Sequence, residues 1–201
     1  QALARLWACR LLVEGRGYRA LDASRCRIED DLCRFVGLDP ERAIADRPYI
    51  RRRLRTVLRR LTGQVRAWPE PLNTRLGKLG AYLSLGPVEQ ELLGLLVAIA
   101  TTADLRDATQ LTARSEQLDL AGVAAAALGR AVDEIEPCLS GSGRLVRAGL
   151  VQPDTEGGGG YRLVQAGDGH ALPYGLLGGL ATALTARTGS VDALLERSFH
   201  P

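Results

Sequence analysis

Methionine is absent, lysine occurs once, at Lys78, and histidine twice, at His170 and His200. Aromatic residues make up only 4% of the 201 residues, while hydrophobic residues in all reach 46%. So few rings argue against a sandwich or barrel and for helices packed through Leu and Ala. The missing methionine and the start at Gln1 suggest a piece of a longer polypeptide. No run approaches the roughly 18 uninterrupted apolar residues of a membrane span, the longest being Leu92 to Ala100. The start also lacks the basic, apolar and small-residue succession of a signal peptide. A soluble cytoplasmic protein is the expectation.

Catalytic and metal signatures are equally scarce. Cys9, Cys26, Cys33 and Cys138 form no CxxC pair, and with both histidines near the end no zinc spacing emerges, so reduced, partly buried thiols are expected. A phosphate loop needs Lys-Ser/Thr after its glycines, but Lys78 is followed by Leu79. The glycines at 157–160 precede no helical pattern, which excludes a dinucleotide fingerprint. SGSGR at 140–144 has the wrong spacing for a nucleophile elbow. The pairs Asp30/Asp31 and Glu134/Glu136 fall in first turns of helices, where the dipole accounts for them. No catalytic, metal or cofactor residue is therefore assigned.

What is present is helical periodicity. Leu3, Leu6, Trp7, Leu11 and Leu12 predict a helix over 2–14, and Ile28, Leu32, Phe35 and Val36 a second ending at Gly37. A long helix is predicted over 48–67, then a break at Pro69 and Pro71, with a short helix around 72–83. The break divides the chain into a helical unit, 1–70, and a second unit, 71–201. In the second, PVEQELLGLLVAIATT reads as a central helix, followed by helices over 118–129 and 132–146, the latter disturbed by Pro137 and Gly141/Gly143. AGLVQP and YRLVQ, joined by DTEGGGG, read as a β-hairpin. Helix, turn, helix and β-ribbon is a winged-helix layout with the wing tip at 157–160. Helices over 174–186 and 191–199 close the chain. The fold class predicted is mostly α: a helical bundle unit plus a winged-helix-like α+β unit with a small β-hairpin.

Charge is unevenly placed: residues 1–70 carry 16 basic and 9 acidic side chains, and 71–201 carry 10 and 14. The segment YIRRRLRTVLRRLTG buries Ile50, Leu54, Val57, Leu58 and Leu61 on one stripe and spreads its arginines over the remainder. A helix seated in a groove gathers cations on one strip beside Asn, Gln or Ser. The spread therefore favours a solvated or protein-facing surface over nucleic acid. Asp133, Glu134 and Glu136 head the helix that would read DNA in a winged helix, where phosphates repel carboxylates. Docking to protein is expected there instead. The interaction surface is assigned to Arg51, Arg52, Arg55, Arg59, Arg60, Arg144, Arg147 and Arg162.

Across most of the chain, ALARLWACRLLV, IEDDLCRFVGL, LSLGPVEQELLGLL, LAGVAAAALG, GRLVRAGLV and VDALLERSF form a succession. It resembles the region preceding the AAA-type ATPase module in a group of large bacterial proteins. The resemblance implies a non-catalytic N-terminal adaptor whose partner is a protein client or the parent's own ATPase module. ATP and magnesium would belong to that later module, as would any oligomerisation. The competing expectation is a winged-helix transcription regulator that binds DNA through helix 48–67 and the wing. A third is a purely structural oligomerisation domain.

Overall fold

The computed structural model describes residues 1–21, 27–64, 68–153, 161–162, 174–177 and 180–186. Its elements are α1 (Ala2–Val13), α2 (Tyr18–Leu21), α3 (Arg27–Val36), α4 (Pro40–Ala45), α5 (Arg47–Gln64), α6 (Leu72–Tyr82), α7 (Pro87–Thr101) and α8 (Ala103–Glu116). There follow α9 (Leu120–Leu128), α10 (Val132–Leu139), α11 (Arg144–Arg147), β1 (Val151–Pro153), β2 (Tyr161–Arg162), β3 (Tyr174–Leu176) and α12 (Leu180–Thr185). The chain is mostly helical, as its composition requires.

Two helices form the centre. In α7, residues Leu92 to Val97 are all buried, the consequence of an apolar surface running right round the helix. Its start is fixed by Pro87 at the first turn and by Glu89, whose carboxylate accepts the Gly86 N–H at 2.8 Å. Helix α1 buries Leu6, Trp7, Leu11 and Leu12 and packs against α5, α8 and α9. One hydrophobic cluster runs from Ala4 to Leu184, continuous across the break at Pro69 and Pro71. The Trp7 and Trp68 rings meet there, with centroids 5.0 Å apart and planes at 59°, the tilted arrangement that aromatic pairs favour.

Helix α8 was not anticipated. Leu105 is its one fully buried large apolar residue; the rest of its buried face is Ala108, Thr109, Thr112 and Ala113. Close approach replaces bulk: Thr112 Oγ1 donates to Ala108 O at 2.8 Å and to Leu11 O at 3.3 Å. A methyl on Gly17 would collide with the Thr112 side chain, so this glycine admits α8 to the end of α1. Helix α4 was also missed, although Asp39 caps it by accepting from Glu41 N at 3.1 Å and Arg42 N at 3.3 Å.

The second half departs from expectation in three places. Helix 132–146 is two helices, α10 and α11, separated at 140–143; Pro137 sits inside α10 without ending it. β1 and β2 do not pair as a hairpin. Each pairs antiparallel with β3, in the order β1–β3–β2, with Val151 opposite Leu176 and Tyr161 also opposite Leu176. The predicted helix over 174–186 begins as β3 and becomes helical only at Leu180, where α12 buries Leu180 and Leu184 against α7 and α6. The wing tip at 157–160, Cys26 and the helix over 191–199 lie outside the described residues.

Candidate interaction surfaces

Helix α5 holds seven arginines and no carboxylate in its 18 residues. Burial holds it in place: Ile50, Leu54, Val57 and Leu61 are at most 5% exposed, in contact with the core through α1. Its arginines divide by what they do. Arg53 Nε donates to Gly37 O at 3.2 Å, closing the end of α3, where Gly37 takes φ of 83°. Arg51 lies over the Tyr18 ring, 5.9 Å from its centroid. Arg52 approaches Asp46 at 3.7 Å, a solvent-exposed pair worth about 0–1 kcal/mol. Arg55, Arg59 and Arg60 are exposed and have no ion pair or hydrogen bond among the described residues.

The spread is less even than the periodicity suggested. A step of four residues turns about 40° and rises about 6 Å. Arg51, Arg55 and Arg59 therefore form a row that starts beside Leu58 at the edge of the buried stripe and winds to the side opposite it, where Arg52 joins it. Arg60 and Arg53 lie on the other flank. Like charges at this spacing oppose helix formation by about 0.2–0.5 kcal/mol per pair, and no carboxylate within α5 offsets them.

The remaining predicted cations do not join this row. Arg144 is a brace: its backbone N–H donates to Glu89 Oε1 at 3.2 Å, and its guanidinium donates to the Ser84 carbonyl and stands 3.6 Å from Glu89 Oε2. Arg147 is exposed in the same short helix, and Arg162 lies in β2, its side chain outside the described residues. Helix α11 packs on α7, α10 and β1, whereas α5 packs on α1 and α4. Sequence reasoning assigned them to one surface, and the fold separates them.

Helices α9 and α10 are joined by Gly129, Arg130 and Ala131, with Gly129 at φ of 68°. A short turn containing glycine is typical of a helix-turn-helix. It is fastened by residues the sequence did not single out. Arg10, the lone cation in the latter half of α1, donates from Nη1 to Leu128 O at 2.7 Å and Ala127 O at 3.3 Å, satisfying the last carbonyls of α9. Arg130 reaches Glu91 at 2.7 Å and Glu134 at 3.2 Å. The Glu91 hydrogen bond is the largest cause of its raised pKa. Beyond that fastening, Val132 is 42% exposed and Asp133 and Glu136 are open to solvent. Glu134 is occupied, accepting from Ala131 N at 3.1 Å as well as from Arg130.

A cavity of about 420 Å³ opens between α1, α7 and the α9–α10 turn, floored by Trp7 and Trp68. Its charged lining, Arg10, Arg130, Glu91 and Glu134, is committed to the contacts just described. No group of three potential metal ligands occurs among the described residues. Burial pushes the Cys9 thiol up to about 12, with Arg5 offsetting only part, so it is no nucleophile. No helix among the described residues is long and apolar enough to cross a membrane. No protein-family model matches the chain, and neither a curated protein nor a solved structure does.

Proposed function

We propose that the chain is a non-catalytic recognition region that meets polypeptide, of the kind that precedes an AAA-type ATPase module. Residues 71–201 act as a winged-helix-like unit, with α10 in the place of a recognition helix. One observation carries this reading: the exposed start of α10 offers an apolar side chain, Val132, with two acidic ones, Asp133 and Glu136, to one side of it. A duplex would bring phosphates to that turn, and nothing beside it cancels the carboxylates, because Arg130 already serves Glu91 and Glu134. A polypeptide can match it with an apolar contact and basic side chains. ATP and magnesium, on this reading, are bound by the later module. The charge of α10 opposes a DNA reader that uses this helix in the groove, and leaves open one that uses helix 48–67 and the wing.

Photocrosslinking from position 132 in intact cells tests the proposal. A polypeptide adduct that weakens in D133K/E136K is expected, and an adduct on DNA contradicts it.

A further inference from the structure

Helix α5 raises a separate question, because among the described residues its charge is almost unmatched. Among the described residues only Asp46 offers it a carboxylate, at 3.7 Å from Arg52. Arg55 and Arg59 project from a helix fully anchored on its other side, so the row is held at fixed spacing. Such a row is an anion-binding element. Its composition selects the anion's class. The exposed strip holds Arg51, Arg52, Arg55 and Arg59 with Thr56 and Gly63 between and beside them, and the one ring at its edge, Tyr18, lies under Arg51. Protein interfaces draw their affinity from buried aromatic and apolar centres and are depleted of charge there. Single-stranded nucleic acid needs stacking platforms, and the single ring beside the strip, Tyr18, is covered by Arg51. A-form RNA is read across a minor groove by contacts to 2′-hydroxyls as well as phosphates. Thr56 spends its hydroxyl proton on Arg52 O, so the strip offers only charged forks, the groups that hold phosphate oxygens without reading bases.

We infer that the Arg51–Arg59 row of α5 docks on the phosphate backbone of double-stranded DNA, without sequence preference. This surface is distinct from α10 and does not rest on the reading of that helix. Here DNA meets the arginine row, while α10 remains turned to protein. A second function follows for the chain: holding its partner-binding unit close to duplex.

The test is fluorescence anisotropy of the full chain with a random-sequence duplex at 50 and 200 mM salt. Four phosphate contacts give a slope of log K against log salt of about −3.6, so affinity falls about 150-fold between those conditions. R55Q/R59Q removes two contacts, and its slope should drop to about −1.8, with a loss of about 12-fold over the same interval. Both side chains are exposed and without partners among the described residues, so the variant keeps the wild-type circular dichroism. R55K/R59K should retain the slope, and R114Q, at an exposed position on α8, should match wild type. The inference is overturned by absence of binding at 50 mM salt, by an unchanged slope in R55Q/R59Q, or by an equal loss in R114Q. Tighter binding to poly-glutamate, single-stranded DNA or duplex RNA than to duplex DNA overturns it as well.

Discussion

Gly94 lies in the middle of α7, where an alanine would ordinarily stabilise a helix by about 1 kcal/mol. Here the added methyl falls onto the Trp68 ring, with Cζ3 only 2.5 Å away. The ring must then move from its place 5.0 Å from the Trp7 centroid. Overpacking costs about 1–3 kcal/mol and disturbing the ring pair about 0.5–1.5 kcal/mol, so net of the helix gain Gly94→Ala should destabilise by about 0.5–3.5 kcal/mol. For a chain of this size, the middle of that range lowers Tm by roughly 4–8 °C. Urea titration followed by fluorescence suits the measurement, because Trp7 and Trp68 are the two tryptophans of the chain. In a double-mutant cycle with Trp68→Ala, alanine at 94 should lose most of its cost. A Gly94→Ala chain more stable than wild type would refute this placement of Trp68.

Three further outcomes are expected. Leu54→Ala, at a fully buried position of α5, should cost about 2–5 kcal/mol in a denaturant titration, whereas Arg55→Ala should change stability by less than about 0.5 kcal/mol. Asp107 has its pKa raised, first by desolvation and then by Asp104, so its charged form is disfavoured in the folded state. That penalty is present above the folded pKa and disappears below the ordinary value of 3.8. Asp107→Asn should therefore raise Tm at pH 7 and lose that advantage in acid. Cys9, buried and with its thiol pushed up to about 12, should react with a thiol reagent no faster than the chain unfolds. Prompt labelling of Cys9 in the native protein would contradict its burial.

The large apolar residues made much of the fold legible. Leu3, Leu6, Trp7 and Leu11 predicted α1, and Ile50, Leu54, Val57 and Leu61 predicted which side of α5 is buried. Helix α8 escaped because, apart from Leu105, its buried face is made of threonines and alanines, with Thr112 fitted against Gly17, too weak a hydrophobic stripe to stand out. β3 escaped because Tyr174 to Leu176 is short and its leucines run on in helical spacing to Leu180 and Leu184, while its partners are set by contacts distant in sequence. The candidate surface was readable only as a list of cations. Composition cannot separate Arg144, committed to Glu89 and Ser84, from Arg55, which faces solvent. Nor does any local pattern announce that Arg10 closes α9 from more than a hundred residues away.

Hydrogen exchange of the chain with and without duplex DNA reports on both surfaces at once. The account predicts slowed exchange across residues 51–60 of α5 and unchanged exchange across residues 132–139 of α10. Protection of α10, with α5 unaffected, would contradict it.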